Sequence, residues 1–175
     1  MRLLTLVLVS TLVSAATSNA EACGDKFLRV GRGARYQRAY VAVHPATLLL
    51  VARPGSTVAA TLKELESTLK RAGHKSVVVR DAAAVPEALE HGHFNIVLTD
   101  IKDVPALEGA TRSTGARVDV LPLIGQPTPQ ARAAAEERYH CVAEVPGKKS
   151  EVLGKIDEIM EFALKGTGES NRKQP

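Results

Sequence analysis

The sequence predicts a three-layer α/β/α sandwich built on a five-stranded parallel sheet. Three observations carry that prediction. Several short runs are apolar at every position, stretches with apolar residues three or four apart lie between them, and the two alternate along the chain. A strand covered by helices on both faces has no solvent side, so it reads as a continuous apolar run, and right-handed crossovers distribute the helices to both faces. With 175 residues, 45% hydrophobic and 24% charged, the chain has material for one globular domain, which excludes disorder as its main state. Aromatic residues make up only 3% and Trp is absent, so the core must be aliphatic and a stacking surface for bases or sugars is poor.

The amino terminus reads as an address. Arg2 precedes the apolar residues 3–9 and 11–13, which run into the small residues Ser14, Ala15, Ala16, Ser18 and Ala20, the order of a secretory signal peptide over residues 1–22. At about eleven residues the apolar stretch is shorter than the roughly 20 a spanning helix needs. No transmembrane segment is expected in the mature chain, and a periplasmic or secreted location is. Cleavage after Ala22 would leave Cys23 first, but Glu21 and the lack of a Leu at the customary position argue against lipid attachment. In an oxidising compartment Cys23 and Cys141 are able to form a disulfide, worth about 4 to 5 kcal/mol by chain entropy for so long a loop. The alternative is a buried, unpaired Cys141 beside a free terminal Cys23.

Residues 23–45 form a basic arm, in which Lys26, Arg29, Arg32, Arg35 and Arg38 stand against the single acid Asp25. Gly31 and Gly33 weaken any helix there, so an irregular arm is expected, its arginines available to a protein partner. The domain proper is expected over residues 46–166. Its first strand, 46–52, ends at Arg53-Pro54-Gly55. Ser56 is placed to cap a helix to Ala72 built on Val58, Leu62, Leu65 and Leu69, and Gly73 closes it. A second strand spans 76–80, and a short helix, 85–90, has Pro86 in its first turn. The third strand, 94–100, ends in Asp100. Residues 109–116, rich in Gly, Ser and Thr, predict an abbreviated helix or loop. A fourth strand at 118–124, a helix at 128–139 opened by Pro129, a fifth strand at 141–145 and a last helix at 150–164 complete the pattern. The polar tail 167–175 is expected to be disordered.

Residues 46–164 resemble the receiver domain of bacterial response regulators. The motifs that carry the resemblance are Asn95-Ile96-Val97-Leu98-Thr99-Asp100-Ile101 followed by Pro105 and Gly109, and the stretch from Ala133-Ala134-Ala135 to Val145-Pro146. The resemblance implies a flavodoxin-like arrangement of five strands and five helices, with Asp100 at the position of the phosphoacceptor. It also implies a divalent cation held by two acids after the first strand, a switching Ser or Thr after the fourth, and a Lys before the proline after the fifth. Here the first of those positions reads Ala52-Arg53-Pro54, the second falls near Ile124 or Gly125 with Thr128 beyond, and the third is Val145. One extra residue also separates Asp100 from Pro105. An exported domain is moreover separated from cytoplasmic kinases and ATP. Asp100 is therefore expected to be an inactive, phosphoacceptor-like position, a loop or helix-capping carboxylate at the end of a strand.

No other chemistry assembles in the sequence. His44, His74, His91, His93 and His140 are scattered, so no metal site is expected, and no cofactor is implied. Ser56 lacks the flanking glycines of a nucleophile elbow, and no catalytic residues can be named. Export and the shortage of aromatics argue against nucleic acid. The expected function is that of an exported, non-catalytic interaction or signalling-accessory module. Two alternatives stand beside it. One is a small anionic-ligand binder with Arg53, Asp100, Gln126 and Lys148 in a crevice at the strand carboxyl ends. The other is an authentic phosphoacceptor receiver of a two-component system.

Overall fold

The computed structural model describes residues 40–115 and 117–165. The signal peptide, Cys23, the arginines of the basic arm and the tail 167–175 lie outside the described residues. Five strands, β1 (Thr47–Val51), β2 (Lys75–Val79), β3 (Ile96–Asp100), β4 (Asp119–Gly125) and β5 (Ala143–Val145), alternate with five helices. These are α1 (Ala59–Ala72), α2 (Val85–His91), α3 (Val104–Thr114), α4 (Pro129–Arg138) and α5 (Lys149–Leu164). The sheet order is β2-β1-β3-β4-β5 and every pairing is parallel, the flavodoxin-like order that the sequence implied. Among the described residues no helix is long and apolar enough to cross a membrane.

Both faces of β1 and β3 are sealed, which is why these strands read as unbroken apolar runs. On one side Leu48, Leu50 and Leu98 meet Leu62, Leu65 and Leu69 of α1 and Ile156 and Ile159 of α5. On the other, Leu49, Val51 and Val97 meet Val85 and Leu89 of α2 and Leu107 of α3. A smaller cluster seats α4 through Ala135 and Tyr139 against Ile124 and Val104.

Pro122 lies within β4, a central strand, where a missing donor is normally excluded. The Gln126 N–H donates to Val145 across the β4–β5 ladder, and alternate residues of a strand face the same neighbour, so Pro122 also faces β5. That ladder begins only at Leu123 opposite Ala143, and the proline costs it no hydrogen bond. Cys141, placed by the sequence within the last strand, precedes β5 and is fully buried.

Three expectations are corrected. The segment expected to hold an abbreviated helix or loop carries the end of α3, an eleven-residue helix that begins at Val104. Buried Val104 and Leu107 anchor it, and the hydroxyls of Thr111, Ser113 and Thr114 donate back to carbonyls of its own preceding turn. Ser56 does not cap α1 from the N-cap position, which is held by Val58 without a side-chain bond. The folded body also starts before residue 46. Tyr40 donates its hydroxyl to the Leu153 carbonyl at 3.1 Å and to the Asp157 carboxylate, and the Ala42 N–H donates to Ala72 at 2.8 Å.

Because the sealed strands admit no relaxation into solvent, Leu98→Ala should lower unfolding stability by about 2 to 5 kcal/mol, whereas Val77→Ala on the exposed edge should change it by no more than ~0.5 kcal/mol. Urea titration of the two variants checks the contrast.

Candidate functional site

A parallel sheet gathers its strand-to-helix loops at one edge, and a set of polar side chains meets there. Asp100 ends β3 at that edge and is only 2% exposed. A carboxylate so placed needs partners, and it has them. Its Oδ2 accepts from Ser56 Oγ at 2.7 Å and from Thr57 Oγ1 at 3.5 Å, and its Oδ1 accepts from the Lys102 N–H at 3.0 Å. Ser56 Oγ in turn accepts from the Val58 N–H at 3.2 Å, which fixes the loop that follows β1.

Arg53, on the same loop, turns to Asp103. Its Nε lies 3.1 Å from both carboxylate oxygens and its Nη2 lies 2.9 Å from Oδ1, the forked geometry that guanidinium and carboxylate favour. Hydrogen bonding to Asp103 and its charge raise the Arg53 pKa above its ordinary value against an opposing desolvation, and the field of Asp100 adds to the rise. The end of β4 closes the edge. A Cβ on Gly125 would stand 2.5 Å from Thr57 Oγ1 and 2.9 Å from Thr57 Cβ, so glycine is what lets the β1 loop lie down on β4.

The cation that a receiver resemblance implies does not fit these residues. A hard divalent ion takes several oxygen ligands, chiefly carboxylates. Here Asp100 is the one acid at the centre, both of its oxygens accept hydrogen bonds, and a guanidinium stands where further acids would be needed. Among the described residues no three His, Cys, Asp or Glu side chains converge on a metal position.

Of the residues proposed for an anion crevice, Arg53 and Asp100 share the β1–β3 end of the edge. Gln126 and Lys148 occupy the loops after β4 and β5, are exposed, and bond to neither. Ser56, Thr57 and Asp103 were not legible as site residues. Ser56 matched a helix cap equally well, and Asp103 stands out only once Arg53 is seen to reach it.

No protein-family model and no curated protein matches the sequence. Among solved structures the chain is similar to the signal receiver domain of a Luxo repressor protein from Vibrio parahaemolyticus. The TM-score is 0.55, over 73% of this chain and 99% of that one, at 11% identity. The fold is that of a signal receiver domain. Within this receiver fold, hydroxyls and an arginine–aspartate pair surround the carboxylate at the end of β3.

Gly125→Ala should destabilise the receiver fold by about 1 to 3 kcal/mol, since its methyl group overlaps Thr57. Adding Thr57→Ala should recover much of that loss, a non-additivity that a double-mutant cycle in urea measures.

Proposed function

We propose that the chain is an exported, non-catalytic receiver-like module that takes no phosphoryl group and acts by binding a protein partner. The engagement of Asp100 is the observation that carries this reading. Attack on a phosphorus centre needs an accessible carboxylate and a cation that neutralises the incoming oxygens. Asp100 is 2% exposed with both oxygens already hydrogen-bonded, no cluster of ligating side chains stands beside it among the described residues, and Arg53 is committed to Asp103. For the same reason a small-anion receptor at this edge has less support, because Asp103 already fills the Arg53 fork. Treatment of the folded protein with acetyl phosphate and magnesium, followed by intact mass, should return the unmodified chain. An added phosphoryl group that disappears in Asp100→Asn would overturn the reading.

Export rests on Arg2, the apolar run and the small residues that follow. A Cys23–Cys141 disulfide belongs to the same proposal. It would tie the amino-terminal arm to a position fully buried ahead of β5, where a bond needs no solvent access once made. The partner contact is assigned to the arm, whose Arg29, Arg32, Arg35 and Arg38 suit an acidic protein surface. Protein from the exported fraction of its native host should have the mass of cleavage after Ala20 or Ala22 and show no titratable thiol in denaturant without reductant. An uncleaved chain would overturn export, and two reactive thiols would overturn the disulfide.

A further inference from the structure

Residues 40–46 form a strap across the amino-terminal end of the sheet, at the opposite edge from Asp100. Asp157 of α5 holds one part of it. Its carboxylate accepts from the Tyr40 hydroxyl and from the Val43 and His44 N–H groups, the last two at 3.4 Å each. His74 holds the other part, where its Nδ1 accepts from the Ala46 N–H at 3.2 Å. His74 lies between α1 and β2, only 3% exposed, and its buried Nε2 has no hydrogen-bond partner among the described residues.

An N–H donor at Nδ1 fixes the tautomer, so the proton of the neutral ring sits on Nε2. A second proton at Nδ1 sets N–H against N–H. The Ala46 bond is then lost, and a buried cation is left without an acceptor of its own. Asp157 is the charged group whose field reaches the ring, and it is the carboxylate that already carries the other strap contacts. A charged His74 would compete with the strap for it.

We infer that His74 and Asp157 form an acid-released latch, which holds residues 40–46 on the domain while the imidazole is neutral and lets them go when it takes up a proton. This does not depend on the state of Asp100. The direction of the titration agrees. Burial lowers the His74 pKa below its ordinary 6.5, opposed in part by Asp157. Release lets water reach the ring and restores the ordinary value, so the released state binds more protons in the interval between the two. The latch is therefore full above pH 6.5 and weakens as pH falls through 6.5 toward the lowered value. Tyr40 sets the upper bound. Burial first, then Asp157, raise its phenol above the ordinary 10.0, so its contribution is full below that value and is lost as pH rises through the raised one. What the latch controls is the position of the segment that leads into β1, on which Val41 and Val43 stand exposed at 72% and 71%.

Amide hydrogen exchange of the full mature chain at about pH 7.5 and about pH 5, corrected for intrinsic rates, tests the latch across the histidine range. Protection of Val43, His44 and Ala46 should be lost in acid, while protection in β3 stays constant. His74→Asn keeps an acceptor near the Nδ1 position and cannot titrate, so it should retain the protection and lose the acid response. Wild-type protection that ignores acid, or a His74→Asn variant that responds like wild type, would overturn the inference. Should that variant not fold, NMR titration of His74 in the wild type decides. Coincident midpoints for the ring and for strap protection support the latch, and separate midpoints exclude it.

Discussion

The complete enclosure of β1 and β3 between two helical layers governs the rest of the molecule. Leu48, Leu49, Leu50, Ile96, Val97 and Leu98 have no accessible surface, so a one-residue slip in either strand would exchange whole sets of packed side chains between α1/α5 and α2/α3. Register, strand order and the lengths of the crossovers follow from that demand. So does the location of polar chemistry, which is expelled to the two ends of the sheet where the strands stop.

At each end a buried polar side chain engages the chain segment next to it. Asp100, at the carboxyl edge, is held by hydroxyls from the loop after β1 and by the backbone just beyond β3. His74, at the amino edge, is held by the segment that leads into β1. The two ends meet the cost of burying a polar group differently: both oxygens of the carboxylate are bonded, whereas the imidazole is bonded at Nδ1 and left without a partner at Nε2 among the described residues.

How much of this was legible in the sequence depended on range. The strands were readable because full burial writes itself as consecutive apolar residues, and Gly73 and Pro129 mark helix ends by backbone chemistry that is local. Gly73 does adopt the left-handed conformation that closes α1, and Thr128 caps α4 just ahead of Pro129. α3 was underestimated because Gly, Ser and Thr lower helix propensity, whereas burial of Val104 and Leu107 against the sheet overrides it here. Ser56 was misread because its role is decided by Asp100, far along the chain, and not by its neighbours. The strap escaped notice for the same reason, since it hangs on a tyrosine hydroxyl and one carboxylate that only the fold brings together.

Pro122 has a consequence beyond its fit within β4. β5 is three residues long and pairs with β4 only from Leu123 onward, so its ladder starts just beyond the proline. A longer β5 would meet a missing donor at Pro122, on the side that faces it, and could not extend the ladder toward the amino end of β4. A position that is merely tolerated by the native pairing therefore also limits how far the last strand can zip, and fixes where that pairing begins.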